Sequence, residues 1–174
     1  MSEFIEELKN RAKKEKHTQA ILKRSLAFNP GTYIKAFPFV EHRQNAWKNE
    51  WDRKVYYLVA GLWASHWRDD ISFNDNLCIA EACRLLYIKK KESKSIEQRF
   101  ISLIDSNIEE LPYRLRQMLS LLKDYDIDFS SLLKDLRNWE HPDRWIQINW
   151  ANKFYRDETK KENKEEIINN KENI

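Results

Sequence analysis

The segment DRKVYYLVAGLWASHW, residues 52–67, carries Val55, Leu58, Val59, Leu62, Trp63 and Trp67 nearly all round a helical wheel. A helix without a broad polar stripe is buried on several sides, so this one predicts a central helix that needs partners. Upstream, Phe4, Ile5, Leu8 and Ala12 recur at helical spacing, with most bases of 9–16 on the opposite face. Thr18 is placed to cap a second short helix carrying Ala20, Ile21 and Leu26, which Asn29-Pro30-Gly31 stops. Phe37-Pro38-Phe39 reads as an irregular aromatic connection.

Downstream, Asp75 is placed to cap a helix with Leu77, Ala80, Leu85 and Leu86 inward. Ser95 and Gln98 form a capping box ahead of the stripe Ile96, Phe100, Leu103 and Ile104. Pro112 suits the first turn of a helix with Leu115, Met118, Leu119 and Leu122 inward. Asp128 caps Phe129, Leu132, Leu133 and Leu136, and Pro142 opens a last helix bearing Ile146, Trp150, Ala151 and Phe154. Eight helices result, with no strand run and no internal repeat. The expected fold is all-α: a compact helical bundle, either single or in two packed halves hinged near 89–95. Residues 1–156 form the helical domain. Residues 157–174, mostly Lys, Glu and Asn, are too poor in apolar surface to order themselves and read as a charged, disordered tail.

The 174 residues include only 2 glycines, and this scarcity excludes much chemistry. Phosphate-cradling loops and dinucleotide-binding turns need glycine at close backbone approaches. Gly31 and Gly61 stand alone, so neither pattern exists. Cys78 and Cys83, five apart, do not share a helix face and read as small buried hydrophobes. No leader-like segment opens the chain and no apolar run spans a bilayer, so a soluble cytoplasmic protein without membrane contact is expected. His17, His42, His66 and His141 have no metal-ligand spacing. Asp124, Asp126 and Asp128 alternate in one loop, but a calcium loop needs Gly at its sixth position and Glu at its twelfth, where Phe129 and Asp135 stand. No enzyme activity, cofactor or metal is expected.

What remains is charge. Residues 9–24 hold seven bases and one acid, and residues 84–99 six bases and two acids, whereas 100–156 hold eight bases and nine acids. Two basic segments on a nearly neutral chain suggest a polyanion partner. Trp47 and Trp51, beside Lys48, Arg53 and Lys54, form an aromatic pair to watch at a surface.

The run Ser95-Ile96-Glu97-Gln98-Arg99-Phe100, then Leu103-Ile104 and Leu115-Arg116-x-x-Leu119, resembles the C-terminal half of the CasB family. So do Ile127-Asp128-Phe129-x-x-Leu132-Leu133-x-Asp135-Leu136-x-x-Trp139 and Trp150-Ala151-x-x-Phe154-Tyr155. The N-terminal half matches through Phe4-Ile5-x-x-Leu8, the basic pair Lys23-Arg24, and Ala60-x-Leu62-x-Ala64. CasB proteins are the small subunit of the type I-E CRISPR Cascade complex. The resemblance implies a non-catalytic helical subunit, present in two copies beside the backbone and large subunits. It further implies contact with crRNA, the target strand and the displaced non-target strand. The nucleic-acid-binding residues so implied are Lys23, Arg24, Arg53, Lys54, Arg99, Arg116 and Arg144. Asp105 departs from the pattern, standing where some relatives carry arginine. A helical adaptor that binds protein alone is the competing reading, and a small nuclease with dispersed acids a third.

Overall fold

Nine α-helices are present among the residues described by the structure, a computed structural model covering 3–68 and 76–156. They are α1 (Glu3–Lys14), α2 (His17–Ser25), α3 (Phe37–Val40), α4 (Glu50–His66), α5 (Ile79–Lys89), α6 (Lys94–Ile104), α7 (Leu111–Leu121), α8 (Phe129–Arg137) and α9 (Trp145–Phe154). The ninth beyond the expected eight is α3, a single turn flanked by 3-10 turns at Ile34–Ala36 and Glu41–Ala46. It occupies the aromatic connection read from Phe37-Pro38-Phe39, with Phe39 and Val40 buried.

The central helix is α4. Twelve of its seventeen residues are buried, so it is enclosed rather than laid on a surface. The Asn49 side chain starts it by accepting the Asp52 amide at 2.8 Å. Helix α2 lies along one side of α4, and α7 and α8 along others, while α5 pairs with α9 and α6 bridges α7 to that pair. The buried apolar residues form one cluster running from Phe4 to Phe154.

The closest helix contact has a specific cause. A Cβ at Gly61 would stand 2.8 Å from Leu26 Cδ2 and 3.1 Å from the Leu22 carbonyl. Only glycine lets α2 lie this near α4. The opposite side is joined by a nearly buried ion pair: Arg137 Nη2 lies 2.9 Å from Asp52 Oδ2 and 3.0 Å from the Ala46 carbonyl. Burial works against the Asp52 charge, but hydrogen bonds from Arg137 and the Lys48 amide outweigh it and hold this carboxyl below the usual range. Trp51 Nε1 adds a bond to the Leu136 carbonyl at 2.8 Å.

Several helix starts differ from the sequence reading. Helix α2 begins at His17, so Thr18 faces the core with its hydroxyl unpartnered instead of capping. The α1–α2 turn is tighter than expected: the Thr18 amide already bonds to the Glu15 carbonyl. Helix α6 starts at Lys94, one residue before Ser95, because Lys91 and Glu92 both turn the chain in the left-handed region (φ 53° and 56°). The Ile96 and Glu97 amides then bond to the Ser93 carbonyl, and no side chain caps them. The capping box belongs to α5, where Cys78 pairs with Glu81. Asp75 lies outside the described residues, as does the 157–174 segment. Leu77 precedes α5 and forms an isolated parallel bridge with Ile127. Helix α9 starts at Trp145, after a left-handed Arg144 (φ 48°). The Asp128 cap is present, accepting the Ser130 and Ser131 amides at 2.9 Å each, and Pro112 sits in the first turn of α7. Trp47 and Trp51 are half-buried, Trp47 against Tyr56 and Trp51 bonded to the Leu136 carbonyl, while Trp51 also lines a surface cavity.

Replacing a mid-helix glycine by alanine ordinarily stabilises by about 0.5–1 kcal/mol. Gly61→Ala should do the reverse, destabilising by about 1–3 kcal/mol through overpacking against α2. Denaturant unfolding checks this; a stabilised variant would show that α2 shifts away freely.

Candidate nucleic-acid interface

Lys23 and Arg24 sit side by side in the last turn of α2, and both are exposed. Beside Lys23 a groove of about 440 Å³ opens between α2, the end of α4 and α7. Its charged and polar lining includes Gln19, Lys23, Arg68, Arg116, Ser120 and Lys123, and no carboxylate of the described residues lines it. The groove is held open by backbone contacts. Gln19 donates to the Ala64 and Trp67 carbonyls at 3.0 and 2.9 Å, fixing the end of α4 against α2. Arg116 Nη1 donates to the Leu26 carbonyl, at the C-terminus of α2, and so ties α7 to α2. That bond uses one of the five guanidinium donors. His66 also lines the groove, with Nε2 2.8 Å from the Tyr125 carbonyl. Burial pushes its imidazole below the usual value, so lysine and arginine supply the charge at neutral pH.

Arg116 also lines a second cavity, of about 590 Å³, on its other side. Arg53 and Lys54 lie there with Phe28, Tyr33 and Tyr113. The two bases differ. Lys54 is exposed. Arg53 is a brace: Nη2 bonds to Glu41 Oε1 at 2.6 Å and to the Gly31 carbonyl at 3.1 Å, and Nη1 reaches Glu50 at 3.4 Å. Its guanidinium also lies over the rings of Phe37, Trp47 and Tyr57. Burial disfavours the Arg53 charge, but the Glu41 hydrogen bond prevails and raises its pKa further. Gly31, in the left-handed region at φ 85°, brings its carbonyl to this guanidinium.

The remaining residues stand apart. Arg99 is exposed on α6 and shares a groove with Arg114, Ser95, Ser102 and Gln117 on the far side of α7. Arg144 bonds to the Ile104 carbonyl at 3.0 Å and pairs with Asp105 at 3.5 Å. The acid that departs from the family pattern therefore neutralises the base nearest to it. The fold thus brings Lys23, Arg116, Arg53 and Lys54 to two adjoining cavities and leaves Arg24, Arg99 and Arg144 outside both linings.

Sequence reading missed Arg68, Lys123 and Arg114. Lys123 is seven residues after Arg116, a helical repeat that could have flagged it. Arg68 offers no such signal, since the Gln19 bonds that fix the end of α4 against α2 join residues 45 and 48 apart in sequence. Among the described residues, no group of three or more His, Cys, Asp or Glu could hold a metal ion, and no helix is long and apolar enough to cross a membrane.

Comparison with known proteins follows from this architecture. The family described as CRISPR-associated protein Cse2 matches residues 18–155. A CRISPR-associated protein Cse2 of Thermus thermophilus is 37% identical over 139 residues, covering 79% of this chain and 78% of that protein. The crystal structure of M. ruber CasB superposes with a TM-score of 0.75 at 36% identity, covering 92% of this chain and 94% of that one. A chain of a structure described as a CRISPR RNA-guided surveillance complex shares the fold, with a TM-score of 0.74 at 21% identity, covering 88% of this chain and 90% of that one.

Brace and free base should separate in unfolding experiments. Arg53→Ala strips donors from Glu41 and the Gly31 carbonyl and should cost about 2 kcal/mol. Lys23→Ala and Lys123→Ala should stay within about 0.5 kcal/mol of the parent, as exposed substitutions do. Equal losses at all three positions would contradict the distinction.

Proposed function

The chain belongs to the Cse2 family of CRISPR-associated proteins, known also as CasB, and from that membership we propose that it is the non-catalytic small subunit of a type I-E Cascade complex in the cytoplasm. In this reading it assembles with the backbone and large subunits and with a second copy of itself. It holds crRNA-paired target DNA and the displaced non-target strand by their phosphates. R-loop formation exchanges one duplex for another of similar stability, so contacts to the strands tip the balance. Such a subunit needs lysine and arginine on an open surface and no reactive group.

The observation that carries this reading is the groove of Lys23, Arg68, Arg116 and Lys123, free of carboxylates among the described residues. Cationic surface grooves are common in isolation. This one lies on a chain whose relatives include CRISPR-associated proteins, and that pairing gives the charge a partner. The adaptor reading draws on a different observation: between α6 and α9, Ile101, Ile104, Ile148 and Ala151 line a mostly apolar depression. That face suits protein contact and is compatible with assembly into a larger complex. It does not explain the groove.

The test is R-loop formation by the reconstituted complex at several salt concentrations. With Lys23→Ala, Arg24→Ala, Lys123→Ala or Arg99→Ala, affinity should fall about equally for all target sequences. Each lost contact should flatten the slope of log K against log salt by roughly 0.9 on duplex and 0.7 on a single strand. Mismatch discrimination should not change, because base pairing reads the sequence. Folded, assembled variants with unchanged affinity and slope would leave the adaptor reading standing.

A further inference from the structure

The cavity on the other side of Arg116 differs in chemistry from the basic groove, and that difference assigns it a role. Its walls carry aromatic rings open to solvent: Phe28 is 46% exposed and Tyr113 52%. Phe28 stacks on Tyr33, with ring centroids 4.7 Å apart and planes 17° from parallel, so the pair is a preformed platform. Tyr113 is held in place from two directions. Gln117 Nε2 donates to its hydroxyl at 2.6 Å, and the Arg114 guanidinium, which does not line this cavity, lies 6.0 Å over the ring.

The cavity also carries carboxylates, Glu50 and Glu109, which the basic groove lacks. Arg53, Lys54 and Arg116 stand there as well, so the lining is mixed in charge and does not favour a phosphate as the basic groove does. A neutral base meets no opposing charge there and can stack on the rings. The two cavities meet at Arg116 and share it, with Lys54 at the far side of the aromatic one. A basic groove beside an aromatic cavity is the arrangement that binds a single strand, charge tracking the backbone and rings taking bases. Duplex DNA keeps its bases stacked inward and has nothing to offer this cavity.

We infer that the cavity lined by Phe28, Tyr33 and Tyr113 receives an unpaired nucleobase of single-stranded DNA whose phosphates run through the Lys23–Arg116–Lys123 groove. The inference rests on the proposed nucleic-acid function and specifies the strand: one with unpaired bases, bound without regard to base identity, because every base has a π-face. Phe28 and Tyr113 are each about half exposed, so neither is needed for folding.

The experiment uses the reconstituted complex carrying the full chain and a target whose displaced strand contains 5-iodouracil, a base that crosslinks to stacked aromatic rings on irradiation. Crosslinked peptides containing Phe28, Tyr33 or Tyr113 are expected, and Tyr113→Phe should retain them. In parallel, a displaced strand with abasic sites, identical in phosphates, should bind roughly tenfold less tightly. Tyr113→Ala with Phe28→Ala should abolish that difference while leaving the salt slope unchanged. Equal binding of intact and abasic strands, or crosslinks confined to other residues, would overturn the inference. So would failure of the folded double variant to join the complex, which would assign the cavity to a protein partner. The salt slope of Lys23→Ala is read separately, so loss of the base site does not remove the phosphate groove.

Discussion

Leu26 resting on Gly61 sets the spacing on which the functional surface depends. The side chain fills the place a Cβ would occupy, and the Leu22 carbonyl lies just beyond it. At that distance α2 lies close against the central helix, and its last carbonyls reach the neighbouring helix. The Leu26 carbonyl then meets Arg116, and Gln19 on the same helix meets the carbonyls of Ala64 and Trp67. Lys23 and Arg24 project from this anchored turn. One missing methyl group thus fixes where a row of positive charge stands, which links core packing directly to the surface. The second glycine serves the same end of the molecule, since Gly31 brings its carbonyl to Arg53.

Arginine in this chain has two occupations, and composition cannot distinguish them. Arg43 bonds to Glu7 and Glu3, Arg53 to Glu41, and Arg137 to Asp52, each joining segments far apart in sequence. Each of these arginines is partly shielded, and the planar guanidinium suits the role because it bonds several acceptors in fixed geometry. Lys23, Arg24, Lys54, Arg99 and Lys123 are the opposite case, with side chains out in solvent. Arg116 belongs to both groups. It is anchored to a carbonyl yet lines two cavities. A base fixed in this way is preorganised, so binding costs it less side-chain entropy than a free lysine.

Much of this was legible in sequence because it depends on local periodicity. The enclosed central helix, the Asp128 cap, Pro112 in the first turn of α7 and most of the apolar stripes follow from neighbours within a turn or two, whereas Leu85, expected to face inward, is 40% exposed and Leu77 precedes its helix. Features set by distant contacts were not legible. Thr18 has the chemistry of a cap, but the short α1–α2 turn rotates it inward. Ser95 and Gln98 have the spacing of a capping box, yet two consecutive left-handed residues start the helix earlier. Trp47 and Trp51 sit among charges in sequence, but Arg53 and the α8 carbonyls draw them into the body. Bringing Arg68 and Lys123 to one groove needs α4 and α7 to pack together beside α2, which no window of sequence contains.

The groove between α2, α4 and α7 is where the proposed function puts nucleic-acid backbone. The measurement that addresses it most directly is the structure of the assembled complex bound to target DNA. Phosphate oxygens within about 2.7–2.9 Å of the Lys23 and Lys123 ammonium groups, the distance of charge-assisted hydrogen bonds, are the predicted result. A groove covered by another protein subunit, with both strands running elsewhere, would contradict it.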